Sequence, residues 1–546
     1  MHYLLLPFTR RYGAYAGVLV VTMLLLILSF KDAVYWFPFS LAAILVLLGT
    51  HDLLQKRHSL LRNYPIVGHI RFLLEEIRPE IRQYFAERDV GSQPFSRSER
   101  TVAYERAKGV PDKFPFGTEL DVNAASFEWL NHSIAPKPVA AEPFRTTVGG
   151  RGCLQPYSIS VLNISALSFG ALGANAILAL NLGAKLGGLA YDTGEGGLSR
   201  YHRQHGGDII WQIASGYFGC RNPNGSFSPE RFAEQANEPQ VKMIEIKLSQ
   251  GAKPGHGGVL PAAKVSPEIA AARGVPIGRD CVSQARHSEF STPRGLLEFI
   301  DRLRRLAGGK PVGFKLCVGH PVEFLGICKA MLETGIYPDF IVVDGAEGGT
   351  GAGPLEFLDH VGMPLREGLM SVHNALVGLN IRDRIRLGAS GKIITAFDMV
   401  QVMALGADWC NAARGFMFAL GCIQAMRCHT DRCPTGVATQ DVIRQRALVV
   451  SEKASRVASF HRATVSALAE VLAAAGLDHP ADLRPHHISR RTALGRVETF
   501  EEIYHFLKPG ELLSGTEDPR FKDAWSKARP DSFSSARPSA TSGLDS

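Results

Sequence analysis

The chain has 546 residues, of which 45% are hydrophobic and 21% charged, so it is long enough and apolar enough to form a large folded domain without disulfide or metal crosslinks. Its formal net charge is +8, but Lys and Arg are spread along the sequence and accompany no aromatic-rich motif, which argues against a nucleic-acid-binding protein. The nine cysteines are an odd number and are scattered, which argues against a disulfide framework.

Two uncharged stretches near the start of the chain predict a pair of membrane-spanning helices. Residues 12–30 and 33–50 contain no Asp, Glu, Lys or Arg, and only Lys31 and Asp32 separate them. Each stretch is about long enough to cross a hydrocarbon core of roughly 30 Å. A secretory signal peptide is the alternative for the first stretch, but no small-residue cleavage site precedes the second.

The basic residues around this hairpin predict its orientation. They are Arg10 and Arg11 before the first stretch and Lys56, Arg57 and Arg62 after the second. By the positive-inside rule, both outer ends lie in the cytoplasm. We therefore expect residues 1–62 to anchor the protein in the inner (cytoplasmic) membrane, with the remainder of the chain facing the cytoplasm.

Residues 63–150 predict one helix followed by an irregular arm. Apolar residues recur at helical spacing and form one stripe, made of Ile70, Leu73, Leu74, Ile77, Ile81 and Phe85. Residues 91–150 are rich in Pro and Gly and predict an extended arm around the body. At the other end, residues 446–515 predict a helical extension and residues 516–546 a disordered tail that is rich in Ser, Ala and Pro.

Residues 151–445 alternate between short β-type runs and helical runs. The eight candidate strands are 160–164, 188–191, 208–213, 242–248, 311–317, 340–343, 384–387 and 408–411. Several of them are continuously apolar, as expected for parallel strands buried on both faces. This alternation predicts a (β/α)8 TIM barrel, with a doubly wound open sheet as the alternative.

In such a barrel the functional residues lie at the carboxyl ends of the strands. After the first strand, Ser165, Ala166 and Ser168 are small enough for the backbone to approach the flat ring of a cofactor closely. On the third strand we assign Gln212 to the same cofactor. After the second strand, Glu195 lies between glycines, where it is exposed to hold or titrate a substrate; a simple turn residue is the alternative.

A glycine-rich loop with two lysines follows the fourth strand. It contains Lys247, Gln250, Lys253 and His256, and its backbone N–H groups suit an anion. We predict that these four side chains bind substrate. A tight connection without a binding role is the alternative.

Lys315 is a charge within the otherwise apolar fifth strand. An ammonium buried without an anionic partner is costly, so we expect Lys315 to face a partner in the barrel mouth. Reduced flavin carries negative charge around N1 and the C2 carbonyl and would be such a partner. An internal ion pair is the alternative.

The loops after the last three strands are rich in glycine and carry two cations. They contain Gly348, Gly349 and Thr350 after strand six, Ser390, Gly391 and Lys392 after strand seven, and Ala413 and Arg414 after strand eight. Barrels of this kind hold a cofactor phosphate after strands seven and eight, where Lys392 and Arg414 would neutralise it. A GxGxxG motif that would indicate a separate nicotinamide-binding domain is not visible.

Three cysteines, Cys422, Cys428 and Cys433, fall within twelve residues, and Pro434 follows the last of them. Soft thiolate ligands in one short loop suit iron, and the proline stiffens the end of the loop. With three ligands and no fourth cysteine nearby, the spacing fits a three-iron cluster better than a four-iron cluster. The alternatives are a zinc site, which prefers shorter Cys-x2-4-Cys pairs, and buried cysteines without a ligand role.

Taken in order, these motifs resemble the flavin-binding synthase domain of the glutamate synthase large subunit. They read ISALSFGALG, DTGEGG, IKLSQGAKPGHGG, FKLCVG, EGGTGAGP and the cysteine run ending in PTGVATQD. The resemblance covers residues 158–441 and extends to membrane-anchored, FMN-binding glutamate synthase-like proteins. It implies an FMN-binding barrel with a [3Fe-4S] cluster on Cys422, Cys428 and Cys433. It also implies that Lys315 lies at the flavin and that Glu195 is the active-site carboxylate.

The sequence also departs from that family. It lacks the glutaminase and β-helical domains of glutamate synthases, so the resemblance does not extend to the glutamine half-reaction. His256 replaces the acidic residue of the usual PGEGG, and residues 281–287 replace a proline-rich, histidine-containing stretch.

We therefore expect an oxidoreductase acting on CH–NH2 donors, which transfers hydride between FMN and a 2-oxo acid/amino acid pair such as 2-oxoglutarate and glutamate. Electrons would be exchanged through the cluster with an external partner, either a ferredoxin-like protein or a membrane carrier. In the reverse direction the protein would be an amine or amino-acid dehydrogenase that feeds a membrane carrier. An FMN-dependent isomerase and a membrane scaffold with an inactive barrel are the remaining alternatives.

Overall fold

The chain divides into two compact units, Met1–Ser92 and Gln93–Ser546. The structure is a computed structural model that describes residues 10–55, 58–87, 91, 93–111, 113, 115–493 and 495–534. Two of the predicted basic flanking residues, Lys56 and Arg57, lie outside the described residues, as does the end of the predicted tail, 535–546.

The first unit is helical. Its helices are α1 (Gly13–Ser29), α2 (Trp36–Leu54), α3 (Ser59–Asn63) and α4 (Gly68–Ile81). The first two pack against each other, and the Tyr15 hydroxyl and Thr50 Oγ1 lie 2.7 Å apart. The carboxylate of Asp52, fully buried at the end of α2, accepts hydrogen bonds from Ile66 N at 3.0 Å and from His69 Nε2 at 2.9 Å. These bonds fix the start of α4 at the end of the hairpin.

The apolar side chains of α1 and α2 are largely exposed. Leu24 is 55% exposed, Phe37 74% and Leu47 70%. Among the described residues, the helical segment Ala33–Leu54 is long and apolar enough to span a membrane, whereas Gly13–Ser29 is apolar but shorter. The predicted apolar stripe lies on α4 and the π-helical turn that follows it, and its side chains are also exposed.

The second unit begins with a helix that the sequence pattern did not predict. Helix α5 (Arg97–Lys108) is capped by Ser96, whose Oγ accepts a hydrogen bond from Glu99 N while the Glu99 carboxylate accepts one from Ser96 N. This reciprocal capping box stabilises the first turn, and Ala103 and Ala107 are buried on one face. The prediction that residues 91–150 are irregular is therefore wrong for α5.

Three short strands separate α5 from the barrel. They are β1 (Glu128–Leu130), β2 (Arg145–Val148) and β3 (Tyr157–Ser160), of which β2 and β3 form an antiparallel hairpin. Val148 and Ile159 of this hairpin pack with Ile210, Met243 and Trp409 from the barrel strands. The hairpin therefore closes the amino-terminal end of the barrel with apolar side chains.

The predicted barrel is confirmed. Its strands are β4 (Leu162–Ile164), β5 (Tyr191–Asp192), β6 (Ile209–Ile213), β7 (Val241–Lys247), β10 (Val312–Leu316), β11 (Phe340–Asp344), β12 (Arg386–Ser390) and β13 (Trp409–Ala412). Each pairs in parallel with the next, and β13 pairs with β4 to close the ring, so the open-sheet alternative is excluded. The eight predicted strands correspond to these eight in order, with ends displaced by up to three residues.

Alternation along the strands divides the barrel interior into two layers. Ile210, Met243 and Val342 belong to the apolar layer near the hairpin. Because side chains two positions apart on a strand share a face, Gln212, Glu245 and Asp344 also point inward, one layer nearer the carboxyl ends. The upper interior is therefore polar.

Fifteen further helices and four short strands surround the barrel or follow it. The helices are α6 (Ala174–Gly187), α7 (Arg200–Arg203), α8 (Pro229–Ala236), α9 (Pro267–Arg273), α10 (Pro293–Leu306), α11 (Pro321–Thr334), α12 (Leu355–His360), α13 (Leu365–Gly378), α14 (Ala396–Ala404), α15 (Arg414–Leu420), α16 (Val442–Gln445), α17 (Val450–Ala474), α18 (Phe500–Ile503), α19 (Glu511–Ser514) and α20 (Pro519–Lys527). The strands are β8 (Val259–Leu260), β9 (Cys281–Val282), β14 (Ile488–Ala493) and β15 (Arg496–Thr499).

The carboxyl-terminal region differs from the prediction in two ways. The extension is not purely helical, because β14 pairs with both β15 and β1 in a three-stranded sheet. The predicted tail is also ordered over α20, where the Asp518 carboxylate caps the first turn and Phe521 is buried. The ammonium of Lys329 on α11 lies 4.8 Å from the ring centroid of Trp525. This tertiary packing outweighs the low apolar content of the segment.

Candidate active site and cysteine loop

A cavity of about 540 Å³ opens at the carboxyl ends of the barrel strands. Most of the predicted cofactor and substrate residues line it, namely Ser165, Ala166, Gln212, Lys247, Gln250, Lys315, Gly348, Gly349, Ser390, Gly391, Lys392, Ala413 and Arg414. Residues distant in sequence therefore meet at one place, as the barrel topology requires.

Five predicted residues do not line the cavity itself. Ser168 and Thr350 bond within their own loops, through Ser168 O to Leu172 N and through Thr350 Oγ1 to Ala352 O. Lys253 is buried, and its Nζ donates to Ala352 O at 3.1 Å.

The other two lie near the glycine-rich loop. The His256 ring stands edge-on to Phe357, with 5.3 Å between the ring centroids. Glu195 lies behind Lys247, and its Oε2 is 3.1 Å from Lys247 Nζ.

The Glu195–Lys247 ion pair forms one wall beside the cavity. Lys247 Nζ also donates to Gln250 Oε1 at 2.6 Å. Burial raises the pKa of Glu195, but the ammonium of Lys247, with smaller contributions from Lys253 and Arg273, lowers it overall below its usual value. Glu195 is therefore ionised near neutral pH, which suits holding a cation or an amine better than donating a proton.

His287 contacts the backbone of Lys247 in this ion pair. Its Nε2 lies 3.0 Å from Lys247 O and its Nδ1 3.0 Å from the Tyr217 hydroxyl, and its ring stacks on Phe290. Burial lowers the pKa of His287 to about 4, so the imidazole is neutral. The segment 281–287, noted above as a departure from the family, thus contacts Lys247 through His287.

Lys315 lies at the cavity floor and is paired with a protein carboxylate. Its Nζ is 3.5 Å from Asp344 Oδ2, and only 5% of the residue is exposed. Burial alone lowers the pKa of Lys315, but the carboxylates of Asp344, Glu245 and Asp192 raise it overall. The internal ion pair that was the alternative for Lys315 is therefore present, while the residue still lines the cavity.

Two further carboxyl groups lie beneath the cavity. Gln212 Nε2 donates to Glu245 Oε1 at 2.7 Å and to Asp192 Oδ2 at 3.3 Å. Burial raises the pKa of both carboxyl groups, and the Asp192 carboxylate raises that of Glu245 further. Burial and the repulsion between the two carboxylates favour protonation of the pair, while the ammonium of Lys315 opposes it. The sequence offered one signal of this arrangement, the charge within the buried strand β7.

The opposite end of the cavity is cationic and enclosed by an aromatic ring. Lys392 and Arg414 line it, and the Arg414 guanidinium lies 4.6 Å from the ring centroid of Phe95. Burial lowers the pKa of Arg414 to about 10, with partial compensation by Asp344 and Glu347. Arg414 Nη2 donates to Glu347 O at 2.6 Å.

Gly349 leaves room for the Arg414 side chain at this end. A Cβ on Gly349 would lie 2.9 Å from Arg414 Nε, closer than side-chain contacts allow. Two cations, small residues and a lysine on the floor fit a ligand that has a flat ring and a phosphate.

Five lining residues were not predicted from the sequence: Phe95, Asp344, Ile393, Asn411 and Ala412. Asn411 and Ala412 are end residues of β13, and Ile393 follows the predicted glycine loop. Phe95 comes from the arm before α5, more than 60 residues ahead of the first barrel strand, and no local pattern links it to the barrel.

The three predicted cluster cysteines line a second cavity of about 220 Å³, together with Pro434 and Thr435. Among the described residues, no group of three or more His, Cys, Asp or Glu side chains is placed to hold a single metal ion. Three thiols that line one cavity are soft ligands of the kind that iron–sulfur clusters use.

The three thiols differ in their electrostatic surroundings. Burial raises the pKa of Cys422 to about 12 and also raises that of Cys428. For Cys433, hydrogen bonds from Thr435 and nearby backbone N–H groups outweigh burial and lower the pKa. Cys410, by contrast, is buried within β13 and does not line this cavity.

Residues before the barrel support the cysteine loop. The Tyr104 hydroxyl on α5 donates to Cys422 O at 2.7 Å, and Gln424 Nε2 donates to Phe95 O at 3.0 Å. Phe95 and Tyr104 both pack edge-on against Phe418 of α15. The segment 95–104 thus contacts both the cationic end of the cavity and the cysteine loop.

Comparison with known proteins identifies the family. The sequence pattern described as "Conserved region in glutamate synthase" matches residues 154–478, which is more than half of the chain. The chain belongs to the glutamate synthase family. It is therefore a member of a family of oxidoreductases that act on amino-acid donors.

Individual relatives place this glutamate synthase-family protein more closely. It is 38% identical to "Glutamate synthase large subunit-like protein YerD" of Bacillus subtilis over 492 residues, covering 83% of this chain and 93% of the relative. It is 33% identical to "Archaeal glutamate synthase [NADPH]" of Methanocaldococcus jannaschii, covering 70% and 71%. The B. subtilis "Glutamate synthase [NADPH] large chain" is 36% identical, and the match covers 50% of this chain but 17% of the relative.

The family match sharpens the division of the site. The cavity-lining strand ends, the Glu195–Lys247 pair and the three cysteines all lie within residues 154–478. Phe95 and Tyr104 lie outside that range. This glutamate synthase-family protein therefore adds side chains from its amino-terminal arm to a site built by the family domain.

Proposed function

We propose that this protein is a membrane-anchored flavin and iron–sulfur oxidoreductase that interconverts a 2-oxo acid with ammonia and the corresponding amino acid. The observation that supports it most is the placement of the two sites. The cavity and the cysteine loop are joined by α15, which begins at the cavity residue Arg414 and ends two residues before Cys422. A short rigid link between two redox sites suits electron transfer between them.

The residues that would hold FMN are those lining the cavity. Lys392 and Arg414 would bind the phosphate, the small residues Ser165 and Ala166 would face the ring, and Lys315 would lie at its polar edge. When bound, FMN would supply or accept the hydride at the substrate carbon. The pairing of Lys315 with Asp344 keeps the lysine charged and fixed in place.

The substrate residues are cationic with one fixed carboxylate. Lys247 and Gln250 line the cavity, with Lys253 and His256 farther along the same loop. Lysines and an amide suit the carboxylates of a 2-oxo diacid such as 2-oxoglutarate. Glu195, ionised beside Lys247, would hold the ammonium or amine that joins the carbonyl carbon.

The cysteine loop would hold the second redox group. Cys422, Cys428 and Cys433 would ligate a [3Fe-4S] cluster, which would relay single electrons when present. Overall, 2-oxoglutarate, ammonium, two electrons and two protons give glutamate and water. The electrons would come from an external one-electron donor, either a ferredoxin-like protein or a membrane carrier.

The exposed apolar hairpin supports the reverse direction as a second candidate. Exposed Leu24, Phe37 and Leu47 suit a lipid environment. The anchor would lie in the inner membrane with the barrel in the cytoplasm, since Arg11 precedes α1 and Arg62 follows α2. An enzyme held there could oxidise an amino acid and pass both electrons to a membrane carrier.

The anchor is tested by deleting residues 1–62. The shortened protein is expected in the soluble fraction with its flavin bound, whereas the full chain is expected in the membrane fraction. Loss of flavin on deletion, or a full chain that is soluble without detergent, would contradict the proposal.

An anaerobic half-reaction assay tests the chemistry. The full-length protein is reduced in detergent, and its flavin absorbance is followed on adding 2-oxoglutarate with ammonium, other 2-oxo acids with ammonium, or 2-oxoglutarate alone. We expect reoxidation only when a 2-oxo acid and ammonium are both present, with glutamate formed from 2-oxoglutarate. Conversely, glutamate should bleach the oxidised flavin. No response in either direction with any acid would refute the assignment.

The Glu195→Gln variant sharpens this assay. The substitution keeps the shape of the side chain and removes the charge that would hold ammonium, so the apparent affinity for ammonium should fall while FMN content stays unchanged. Glu234→Gln, on the exposed face of α8, is the matched control.

A further inference from the structure

Lys264 is a buried lysine outside both cavities. It is the last residue of the 3₁₀ turn Ala262–Lys264 and is 3% exposed. Its Nζ donates to three backbone carbonyls, Ala171 O at 2.5 Å, Ala438 O at 3.2 Å and Cys428 O at 3.3 Å. All three N–H groups of the ammonium therefore donate to backbone carbonyls of three chain segments, at residues Ala171, Cys428 and Ala438.

Those three segments belong to the two proposed redox sites. Ala171 follows the loop of Ser165 and Ala166, which line the larger cavity. Cys428 and Ala438 lie in and just after the cysteine loop. Lys264 thus joins the cavity's first-strand loop to the cysteine loop.

A second, uncharged side chain makes a similar link. Gln440 Nε2 donates to Gly170 O at 3.1 Å and to Leu172 O at 2.9 Å. Two side chains, Lys264 and Gln440, therefore link the first-strand loop to the cysteine loop, but only Lys264 carries a charge. Mutating each side chain in turn distinguishes the effect of the link from the effect of the charge.

The charge of Lys264 is not neutralised by a close ion pair. Among the described residues Lys264 makes no ion pair within 4 Å, although the charges of Asp431 and Arg273 interact with it from farther away. The Asp431 Oδ1 is occupied by Thr439 Oγ1 and Gln440 N. Carbonyl oxygens solvate an ammonium without neutralising it, and the thiols of Cys428 and Cys433 are among the groups that interact with its charge.

We propose that Lys264 is a positioning residue that holds the cysteine loop against the first-strand loop and whose fixed charge raises the reduction potential of the group the cysteines hold. This inference rests on the proposed function, because it concerns an iron–sulfur cluster at that loop. Each electron taken up adds negative charge beside the ammonium, and a buried cation stabilises the reduced form more than the oxidised form.

The test is an EPR-monitored redox titration of full-length protein purified anaerobically in detergent. Lys264→Met keeps the apolar stem and removes the charge. We expect reduction of the cluster to become at least tenfold less favourable, which for a one-electron couple is about 59 mV. Lys264→Arg, which restores the charge, should return the potential toward that of the unaltered protein. Gln440→Leu, which breaks only the neutral tether, should leave the potential unchanged.

Each outcome decides the proposal. An unchanged potential in Lys264→Met and Lys264→Gln, with sulfide and flavin retained, would overturn it. So would a shift in Lys264→Arg as large as that in Lys264→Met. If the neutral variants lose acid-labile sulfide while Lys264→Arg retains it, the charge is required and the proposal stands. Absence of sulfide from the unaltered protein would instead refute the proposed function on which this inference rests.

Discussion

Two buried lysines, one at each proposed redox site, have opposite surroundings. Lys315 at the cavity floor lies beside the carboxylates of Asp344, Glu245 and Asp192, whereas Lys264 at the cysteine loop bonds to three backbone carbonyls. Carboxylates offset the charge of Lys315, whereas carbonyl oxygens solvate Lys264 and the carboxylate of Asp431 interacts with it only from farther away. Burial alone therefore does not show whether a cation interacts with protein carboxylates or with a bound group.

The largest expected effect separates the two sites completely. Cys428→Ser removes a thiolate ligand from the cysteine loop, and none of the three cysteines lines the larger cavity. We expect the variant to lose acid-labile sulfide and to keep its FMN. Anaerobic sulfide and flavin assays on the purified protein measure both.

Cys153→Ser serves as the matched control, since Cys153 is partly exposed and its Sγ bonds to Gly309 O away from both cavities. It should retain both groups. Simultaneous loss of flavin and sulfide in Cys428→Ser would show that the sites do not form independently.

The next effect concerns the cationic end of the cavity. Arg414→Leu removes one of two cations that would bind the FMN phosphate. Hydrogen bonds to charged groups contribute about 1.5–3 kcal/mol, so FMN affinity should fall by at least about tenfold. Flavin fluorescence on reconstitution of stripped protein measures it.

The comparison variant is Arg384→Leu, because Arg384 also lies over an aromatic ring, Tyr337, but precedes β12 at the other end of the barrel. Its FMN affinity should match that of the unaltered protein. Equal affinity in the Arg414 variant would mean that the phosphate binds elsewhere.

Lys315→Met tests whether the ammonium that is paired with Asp344 also interacts with the flavin. Without the ammonium, the reduced flavin loses a favourable charge contact, so its two-electron potential should fall. A tenfold change in that equilibrium corresponds to about 30 mV, and we expect a decrease of several tens of millivolts. Asp344→Asn, which removes the partner carboxylate, should shift the potential in the opposite direction. A potential that moves in neither variant would separate this strand end from the flavin.

The smallest effect is a pH dependence of stability at the carboxyl pair. Burial and the neighbouring Asp192 carboxylate raise the pKa of Glu245 well above its usual value. The folded state therefore binds a proton that the unfolded state releases, so this stabilisation is complete below the unfolded pKa, roughly 4.5. It is lost progressively as the pH rises from there toward the raised folded pKa.

Glu245→Gln removes that pH dependence. Relative to the unaltered protein, the variant should gain thermal stability as the pH rises from 5 to 8. The exposed Glu234→Gln control should show no such trend. Parallel melting curves for both variants across this range would contradict a shared proton at the Asp192–Glu245 pair.

The sequence predicted much of the site because strand ends and glycine loops are local signals. The eight strands were assigned in order, and Lys392 and Arg414 lie where the barrel pattern put them. It did not predict the side chains that reach these sites from other parts of the chain. Phe95, Asp192 and Lys264 meet the site only through the closed barrel and through loops far apart in the chain. Helix α5 and helix α20 were missed because a capping box and tertiary packing outweighed their composition.

Native mass spectrometry of the full chain tests the central claim most directly. The protein is purified anaerobically in detergent, and the detergent is removed in the gas phase. We expect one species that carries one FMN and one [3Fe-4S] cluster, and a Cys428→Ser species that carries FMN alone. A native species with flavin and zinc, or with flavin and no metal, would contradict the account.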